Sequence, residues 1–489
     1  MAEKKKILLI AVKTYSNLIT INQGLGYTAV PLIKMGYQVE IMDPTLTRCG
    51  IRDILKKINE EQYSIIGIGG VVAGYNFFVK LTKQIKRHFP EIKIIVGGYM
   101  ANSISETILK RNPVDMVVLG ESEQTLPELI PLLEENQAVD TVRGLTYIRE
   151  GSVVKNPPRP LIKDLDTLPY IPYELFQMED IIKFNSSIPI LFARGCNHRC
   201  SFCFQPWEKY RNHSAEYSVG LIKYLQKKYT CHDFMFIDEN FGVKKKWLHE
   251  FSEMILRDNV NINFKVAYRA NEAREEDLRL LKRIGCSQLF FGLESGSQRM
   301  LDSMNKKATI EKYERAINAV RSLDMGFACN FILGMPGETA ETIAETRDFI
   351  VRNKLGNANV VFATPYPGTE IYKYCVKKQL IKDEHRFSQI VEDHNYYLIN
   401  MTELSMRYII TQSFKIQHLI FQFDKSLSLL QRLLMTSKKK IADILLFLGL
   451  WALLKNLRLR AKERRKKIIA YYILFKGYRS NWLYKMYKM

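Results

Sequence analysis

Short apolar runs alternate with segments of helical periodicity through the first third of the chain. The runs are rich in β-branched residues, and the segments between them, such as 51–60 and 76–88, carry apolar positions at helical spacing. Because strands that alternate with helices form a parallel sheet covered on both faces, the pattern predicts an α/β domain. The predicted strands are 7–12, 38–42, 65–69, 92–96 and 115–119.

Glycines cluster in the segments that follow these predicted strands. The carboxyl ends of parallel strands form a ligand crevice, and glycine lets a ligand approach the backbone closely. We therefore expect a Rossmann-like domain with a ligand site at this edge, and the same fold serving only for dimerisation is the alternative. The glycines are Gly24, Gly26, Gly69, Gly70, Gly97, Gly98 and Gly120.

The alternation of strands and helices returns after a proline-rich stretch at 156–173. Proline stiffens the chain and ends helices, so this stretch predicts a linker. Six further β/α units are fewer than the eight of a complete barrel and predict a partial, TIM-like (β/α)6 barrel with functional residues at the carboxyl ends of its strands. These strands are predicted at 188–193, 233–238, 263–269, 287–295, 327–334 and 359–367.

From about Arg407 the pattern changes to long helical stretches with a basic end. The residues from Lys438 onward contain fifteen Lys and Arg against two acids, a net +13 of the total +21. Segment 441–454 is apolar but shorter than the about 20 residues that span a bilayer, so it suits a helix lying on an anionic membrane. A helical cap on the barrel and an RNA-binding tail are alternatives, although the apolar density makes nucleic acid an unlikely partner.

Composition supports a folded protein that is not exported. Of 489 residues, 47% are hydrophobic and 25% are charged, which is ordinary for globular domains. The N-terminal apolar run is short and leads into a strand pattern, so we expect a first β-strand and not a signal peptide. We expect a cytoplasmic protein, peripheral on the inner face of the membrane through its tail. The predicted domains are 1–150 (Rossmann-like), 151–185 (linker), 186–400 (barrel) and 401–489 (helical and basic).

Three of the eight cysteines share one short loop after the first barrel strand. Cys196, Cys200 and Cys203 follow the spacing Cys-x3-Cys-x2-Cys. Three thiolates can hold three irons of a [4Fe-4S] cluster, which leaves the fourth iron without a protein ligand. A zinc site with His198 or His213 as fourth ligand is the structural alternative, although structural zinc usually takes ligands from two separated loops. The five scattered cysteines are expected to be small buried hydrophobes.

With an aromatic residue before its last cysteine, this loop resembles the signature of the radical S-adenosylmethionine superfamily. The resemblance implies that the open iron binds the amino and carboxylate groups of S-adenosylmethionine, and that an electron from the cluster cleaves it to a 5′-deoxyadenosyl radical. Residues at the strand ends match the positions that bind the amino group, the ribose, the adenine and the methionine. The implied contacts are Phe202, Asp238, Glu239, Glu294, Ser295, Gly334, Pro336, Pro365 and Tyr366.

The order of the N-terminal glycine motifs resembles the cobalamin-binding domain of B12-dependent radical enzymes. That family usually has proline-histidine where this chain has Tyr99 and Met100, and glycine where it has Ser122. The chain has no Asp-x-His-x-x-Gly motif, so no histidine is nominated as lower cobalt ligand. The resemblance covers roughly residues 7–375 and implies cobalamin contacts for Gly24, Leu25, Gly26, Tyr27, Gly69, Gly70, Gly97, Gly98, Tyr99, Gly120 and Glu121.

The family resemblance implies a methyltransferase that uses two molecules of S-adenosylmethionine, one cleaved reductively and one remethylating cobalamin. The enzyme would methylate an unactivated carbon of a small hydrophobic molecule, with a flavodoxin or ferredoxin as electron donor, and the basic amphipathic tail favours a lipid or another membrane-bound molecule as that substrate. A radical cyclase or carbon–carbon bond-forming enzyme of the same architecture is the alternative among enzymes. A cobalamin or redox sensor is the alternative of another class.

Overall fold

The computed structural model describes residues 6–14, 21–207, 209–391 and 397–424. The chain divides into two compact units. The first unit comprises Met1–Leu293, Leu301–Ala328 and Pro365–Asp393. The second unit comprises Glu294–Met300, Cys329–Thr364 and His394–Met489. The predicted interfacial segment and the basic tail lie outside the described residues. No helix in the described ranges is long and apolar enough to cross a membrane.

A seven-stranded sheet forms the N-terminal part of the first unit, in the order β2-β1-β3-β4-β5-β6-β7. The first five strands are parallel, and the order reverses between β1 and β3, a point where open α/β sheets bind ligands. The predicted strands are thus confirmed to within two residues at each end. The bounds are β1 Lys6–Ala11, β2 Gln38–Met42, β3 Ile65–Gly69, β4 Lys93–Gly97, β5 Met116–Val118, β6 Leu145–Arg149 and β7 Ser152–Lys155.

The hairpin β6–β7 adds two antiparallel strands that the sequence did not predict. Its strands are short and half exposed, so they lack the continuous apolar runs of the parallel strands. The predicted domain boundary at residue 150 falls in the turn of this hairpin, and the sheet continues to Lys155.

Five helices cover this sheet. The predicted helices at 51–60 and 76–88 are confirmed with shifts of one residue. Gly24 and Gly26 differ from expectation, because they lie in the first turns of α1 and not in a loop; the side chain of Asn22 caps this helix by accepting from the amide of Leu25 at 3.2 Å. The helices are α1 Gln23–Lys34, α2 Ile51–Glu61, α3 Tyr75–His88, α4 Gly98–Arg111 and α5 Ser122–Glu134.

The linker is packed against the first unit and is not a solvated spacer. Its apolar side chains Ile162, Leu165, Ile171 and Tyr173 are each at most 6% exposed. It ends in helix α6, Met178–Asn185.

The remaining strands follow the order of the predicted partial (β/α)6 barrel. In the first unit β8, β11, β12 and β13 pair in parallel in that order, and in the second unit β14 pairs in parallel with β15. The short strands β9 and β10 pair in antiparallel fashion. The bounds are β8 Ile188–Ile190, β9 Ala193–Arg194, β10 Arg211–Asn212, β11 Asp233–Phe236, β12 Asn263–Tyr268, β13 Cys286–Glu294, β14 Gly326–Leu333 and β15 Ala358–Phe362.

Aromatic side chains fill the core beside the first barrel strands. Phe236 stacks on Phe264 with ring centroids 4.4 Å apart, and Phe192 contacts Phe236 edge-on at 4.9 Å. This packing fixes the strand ends that carry the functional loops. The remaining helices of the described ranges are α7 Ala215–Tyr229, α8 Lys245–Arg257, α9 Glu275–Arg283, α10 Gln298–Ser303, α11 Ile310–Ser322, α12 Ala340–Arg352, α13 Glu370–Lys377, α14 Glu384–Ile390 and α15 Met406–Phe423.

Candidate functional site

The three clustered cysteines lie on one loop whose two ends are tied together. The β9–β10 ladder pairs Arg194 with Arg211 and closes the loop at its base. Gly195 has φ +80°, and a Cβ there would stand 3.0 Å from the carbonyl oxygen of Lys209, so the loop requires glycine at its start. Within the loop, the amide of Cys203 donates to the carbonyl of Cys200 at 3.0 Å.

The thiols of this loop fit a cluster that brings its own positive charge. Burial raises the pKa of Cys203 to about 11 and also raises the pKa of Cys196. Metal ions reverse this preference, because a coordinating thiol gives up its proton. Three sulfur donors on one loop, without a fourth cysteine in it, match a [4Fe-4S] cluster with one open iron.

The histidines of the zinc alternative are engaged elsewhere. His213 Nδ1 lies 3.0 Å from Asp166 Oδ1, and its Nε2 lies 3.1 Å from the Tyr27 hydroxyl. His198 Nε2 lies 2.6 Å from Glu272 Oε1. In the described ranges, no group of three or more His, Cys, Asp or Glu side chains is arranged to hold a single metal ion.

The two acids after β11 have different surroundings. Asp238 is 2% exposed, and its Oδ1 accepts from the amides of Phe192 at 2.9 Å and Ala193 at 2.5 Å. Burial raises the pKa of Asp238 to about 7. Glu239 is exposed and accepts a hydrogen bond from the Tyr99 hydroxyl. Asp238 therefore supports the strand that leads into the cysteine loop, and Glu239 is the acid open to a ligand.

Three other predicted S-adenosylmethionine contacts lie at or near the cysteine loop in the first unit. Phe202 belongs to the loop itself, and the Lys306 Nζ lies 5.7 Å from the centroid of its ring. Pro365 and Tyr366 belong to a turn that packs on the loop, since a Cβ at Gly368 would stand 2.4 Å from the Phe204 ring. The amide of Ile371 then donates to the Ser201 carbonyl at 3.1 Å.

The other four predicted contacts belong to the second unit. Glu294 is the last residue of β13 and Ser295 follows it; the Ser295 hydroxyl lies 3.0 Å from the Thr346 hydroxyl. Gly334 and Pro336 form the turn after β14; Gly334 has φ +90°, and its amide donates to Glu338. Burial raises the pKa of Glu338 to about 8. A Cβ at Gly334 would stand 2.4 Å from the ring of Tyr397 in the same unit.

A cavity of about 520 Å³ lies at the carboxyl edge of the first sheet. Gly97 and Gly120 face open space, since a Cβ at either would meet nothing within 4 Å, whereas one at Gly70 would stand 2.1 Å from Val12 Cγ2. None of the described residues that line the cavity is a histidine. Ten of the eleven predicted cobalamin contacts line it: Gly24, Leu25, Tyr27, Gly69, Gly70, Gly97, Gly98, Tyr99, Gly120 and Glu121.

Gly26 is the exception among the predicted cobalamin contacts. A Cβ there would stand 3.0 Å from the side chain of Ile171, in the packed linker. A larger side chain at Gly26 would therefore meet the linker and not the cavity, because the linker covers that face of α1.

The opposite wall of the cavity comes from the cysteine loop and the strands beside it. Gly195 and Trp207, which flank the three cysteines, line this wall together with Ile237 and Glu239. The Tyr99 ring meets the Trp207 ring edge-on at 6.5 Å. The cavity is thus enclosed by glycine-rich strand ends on one side and the cysteine loop on the other, and its volume is in the range of cofactor sites.

A buried ion cluster, which the sequence analysis missed, includes Glu121. Glu121 Oε1 accepts from Arg194 at 2.6 Å and from Arg211 at 2.9 Å, and its Oε2 accepts from the amide of Ile162 at 2.7 Å. Arg194 also donates to Glu123 at 2.6 Å. Although Glu121 borders the cavity, its oxygens are occupied by protein donors, so its evident role is to bind the two arginines.

Comparisons with known proteins agree with this arrangement. The family model "Radical SAM superfamily" matches residues 190–350, and the model "B12 binding domain" matches residues 10–130. An uncharacterized methyltransferase of Pyrococcus horikoshii is 28% identical over 392 residues, covering 77% of this chain and 84% of the relative. The anaerobic magnesium-protoporphyrin IX monomethyl ester cyclase of Rubrivivax gelatinosus is 27% identical over 378 residues, covering 74% and 68%. The hopanoid C-3 methylase of Methylococcus capsulatus is 24% identical over 388 residues, covering 75% and 71%.

Solved structures share the fold. The radical S-adenosylmethionine methyltransferase TsrM from Kitasatospora setae, with cobalamin and a [4Fe-4S] cluster bound, superposes with a TM-score of 0.65 at 18% identity, covering 77% of this chain and 75% of that one. The cobalamin-dependent radical enzyme OxsB, with aqua-cobalamin and S-adenosylmethionine bound, gives 0.64 at 22% identity, covering 79% and 56%. The chain is therefore a radical S-adenosylmethionine enzyme with an N-terminal B12-binding domain, and its cofactors are a [4Fe-4S] cluster, S-adenosylmethionine and cobalamin.

Proposed function

We propose that this protein methylates an unactivated carbon of a hydrophobic substrate, with cobalamin as methyl carrier. The observation that carries the proposal is the position of the glycine-lined cavity, whose far wall is formed by the two ends of the cysteine loop. A methyl carrier held there would stand next to the site where the radical is generated. This proximity is what a transfer between two cofactors requires.

The proposed reaction balances in atoms and electrons. When bound, the cluster supplies the electron that cleaves S-adenosylmethionine, and cobalamin supplies the methyl group. One S-adenosylmethionine becomes methionine and 5′-deoxyadenosine, which carries away the hydrogen atom of the substrate. A second gives up its methyl group and leaves as S-adenosylhomocysteine. Two electrons enter from a donor such as flavodoxin or ferredoxin, and the C–H bond is replaced by C–CH3.

The residues of this chain bind and orient the reactants. Cys196, Cys200 and Cys203 would hold the cluster, and Glu239 would accept a hydrogen bond from the amino group of S-adenosylmethionine. The Glu239 carboxylate is already hydrogen-bonded to Tyr99, so the ligand would share or replace that contact. Because Tyr99 and Glu239 both line the cavity, this pair couples the two cofactor sites within one unit.

A cyclase without methyl transfer is the second candidate, because relatives named as cyclases match nearly as much of the chain as those named as methyltransferases. The two products of S-adenosylmethionine separate the candidates. A methyltransferase releases S-adenosylhomocysteine and 5′-deoxyadenosine in comparable amounts, since both uses of the cosubstrate are coupled. A cyclase releases only 5′-deoxyadenosine in quantity, and this result would overturn the proposal.

The experiment is anaerobic reconstitution followed by turnover with extracts of cells that lack the gene as the substrate source. The control is the variant with Cys196, Cys200 and Cys203 replaced by alanine, which should form no 5′-deoxyadenosine. It should release at most one S-adenosylhomocysteine per bound cobalamin, because nothing removes the methyl group again. A product that is one CH2 unit heavier than a compound in the extract would identify the substrate.

We infer a lipid or another membrane-bound molecule as the substrate class. Support comes from the basic, apolar tail of the sequence and from the relative named as a hopanoid C-3 methylase. Each basic residue near an anionic bilayer contributes on the order of 1 kcal/mol before screening. Full-length protein should therefore bind anionic but not zwitterionic vesicles at low salt, and the form lacking residues 438–489 should stay in solution. Equal partitioning of both forms would favour a tail that caps the barrel.

A further inference from the structure

A buried arginine lies beside the middle cysteine of the loop. Arg269 follows β12 and is 8% exposed. Its Nη1 lies 3.9 Å from Cys200 Sγ, within the range of a hydrogen bond to sulfur. Arginine carries a permanent positive charge, so a cluster bound at Cys200 would have a cationic donor directed at one of its sulfur ligands.

The guanidinium is held in this position by two other contacts. Its Nη2 donates to the carbonyl of Lys306, and its Nε lies 3.5 Å from Glu272 Oε1. Glu272 also binds His198, another residue of the cysteine loop, at 2.6 Å. The arginine is therefore fixed by groups that flank the loop, and it does not depend on the sulfur contact for its orientation.

A second cation lies beside the loop. Lys306 is buried, and its Nζ lies 5.7 Å from the centroid of the Phe202 ring. Phe202 stands between Cys200 and Cys203 in the sequence. Arg269 and Lys306 are thus two cations beside the loop, and the acids that face it are the exposed Glu239 and Glu272, which is 27% exposed and shared between Arg269 and His198.

We propose that Arg269 sets the reduction potential of the cluster by donating a hydrogen bond to Cys200 Sγ, and that Glu272 opposes this effect. Reduction adds an electron to the cluster, so a donor to sulfur and a nearby positive charge stabilise the reduced form more than the oxidised form. Arg269 therefore raises the potential and makes the cluster easier to reduce by a low-potential donor. Glu272, as a negative charge beside the arginine, lowers it. This inference depends on the cluster alone and holds whether the enzyme transfers methyl groups or not.

The test is an EPR-monitored redox titration of the reconstituted full-length protein, with iron and sulfide content measured in parallel. We expect Arg269→Gln to reduce the equilibrium constant for cluster reduction at least tenfold, a downward shift of about 59 mV for a one-electron couple. Arg269→Lys, which keeps the charge but loses the planar donor fork, should fall between this variant and the native protein. Arg279→Gln, in an exposed pair on α9, is the matched control and should leave the potential unchanged.

Glu272→Gln provides the opposite sign. The amide keeps the size of the side chain and an oxygen next to His198 but removes the negative charge, so the potential should rise. A purely structural role for the two residues would instead lower the iron content of both variants without opposite shifts. An Arg269→Gln protein with full iron content and unchanged potential would overturn the proposal. If the Arg269→Gln protein holds no cluster, the proposal is overturned when the reduction potential of Glu272→Gln is unchanged or lower than that of the native protein.

Discussion

Replacing Glu121 by glutamine tests whether this residue serves the protein or the cofactor. The side chains of Glu121, Arg194 and Arg211 are 2%, 9% and 10% exposed. Glutamine keeps one oxygen acceptor but presents an NH2 group where the carboxylate now accepts from Arg211 and from the amide of Ile162. Arg194 would then keep the carboxylate of Glu123, whereas the buried guanidinium of Arg211 would lose its carboxylate partner.

The expected cost is large because a buried charge loses its partner. Breaking a buried ion pair from one side typically costs about 3–5 kcal/mol, much more than an exposed pair. Glu123→Gln should cost less, since Arg194 would keep Glu121 as a partner. Glu60→Gln, which removes an exposed pair with Lys56 at 3.7 Å, is the control and should cost no more than about 0.5 kcal/mol.

The assay compares urea unfolding of the apoprotein, followed by circular dichroism, with cobalamin affinity from absorbance titration. The ion-cluster interpretation predicts a clear loss of stability in Glu121→Gln, and a loss of cobalamin affinity only as far as the cavity wall is disturbed. If this variant unfolds like the native protein but binds cobalamin at least tenfold more weakly, Glu121 contacts the cofactor directly and the interpretation is refuted.

Two further predictions concern a pair of glycines, only one of which lines the cavity, and the buried His213. Gly97→Leu should leave the stability of the apoprotein nearly unchanged but weaken cobalamin binding, because the new side chain enters the open space of the cavity. Gly26→Trp should instead lower the melting temperature, because the new side chain clashes with Ile171. Cobalamin titration and thermal unfolding of both variants test these expectations. Burial lowers the pKa of His213 to about 4, although the neighbouring Asp166 carboxylate acts to raise that pKa. The folded protein therefore binds fewer protons than the unfolded one between pH 6.5 and 4, and stability should fall as the pH drops through this window, by at most about 3 kcal/mol from this group. Unfolding measured at several pH values should show a flatter profile for His213→Gln.

The strands could be predicted from sequence because each is a run of β-branched and apolar residues bounded by turn residues. The different surroundings of Asp238 and Glu239 were also visible in principle. Phe234, Phe236 and Asp238 share one face of a strand with period two, and both phenylalanines are buried, so the alternation placed Asp238 inside and Glu239 outside. The family resemblance assigned both acids to the ligand because it considered position and not the side of the strand.

The ion cluster could not be predicted, because no local pattern records it. Arg194 and Arg211 are 73 and 90 residues from Glu121 along the chain. A charged residue at a glycine-rich turn is ordinarily solvated, and only the packing of the linker and the cysteine loop against the first sheet buries it. The same packing brings Ile171 onto Gly26. For that reason Gly24, Leu25 and Tyr27 line the cavity, whereas Gly26 does not.

The departures from the usual cobalamin-domain motifs are accommodated by contacts inside the first unit. Tyr99, where the family usually has proline, reaches across the cavity to Glu239, and Met100 is fully buried with its amide donating to the Gly70 carbonyl at 2.8 Å. Ser122, in place of glycine, begins α5 and lies 2.7 Å from the Thr28 hydroxyl of α1. Tyr99 and Ser122 thus add side-chain contacts, Met100 adds buried apolar surface, and the cavity stays open. A domain that had lost its ligand would have no reason to keep Gly97 facing empty space, since its extended backbone accepts any residue and a side chain there could add buried apolar surface.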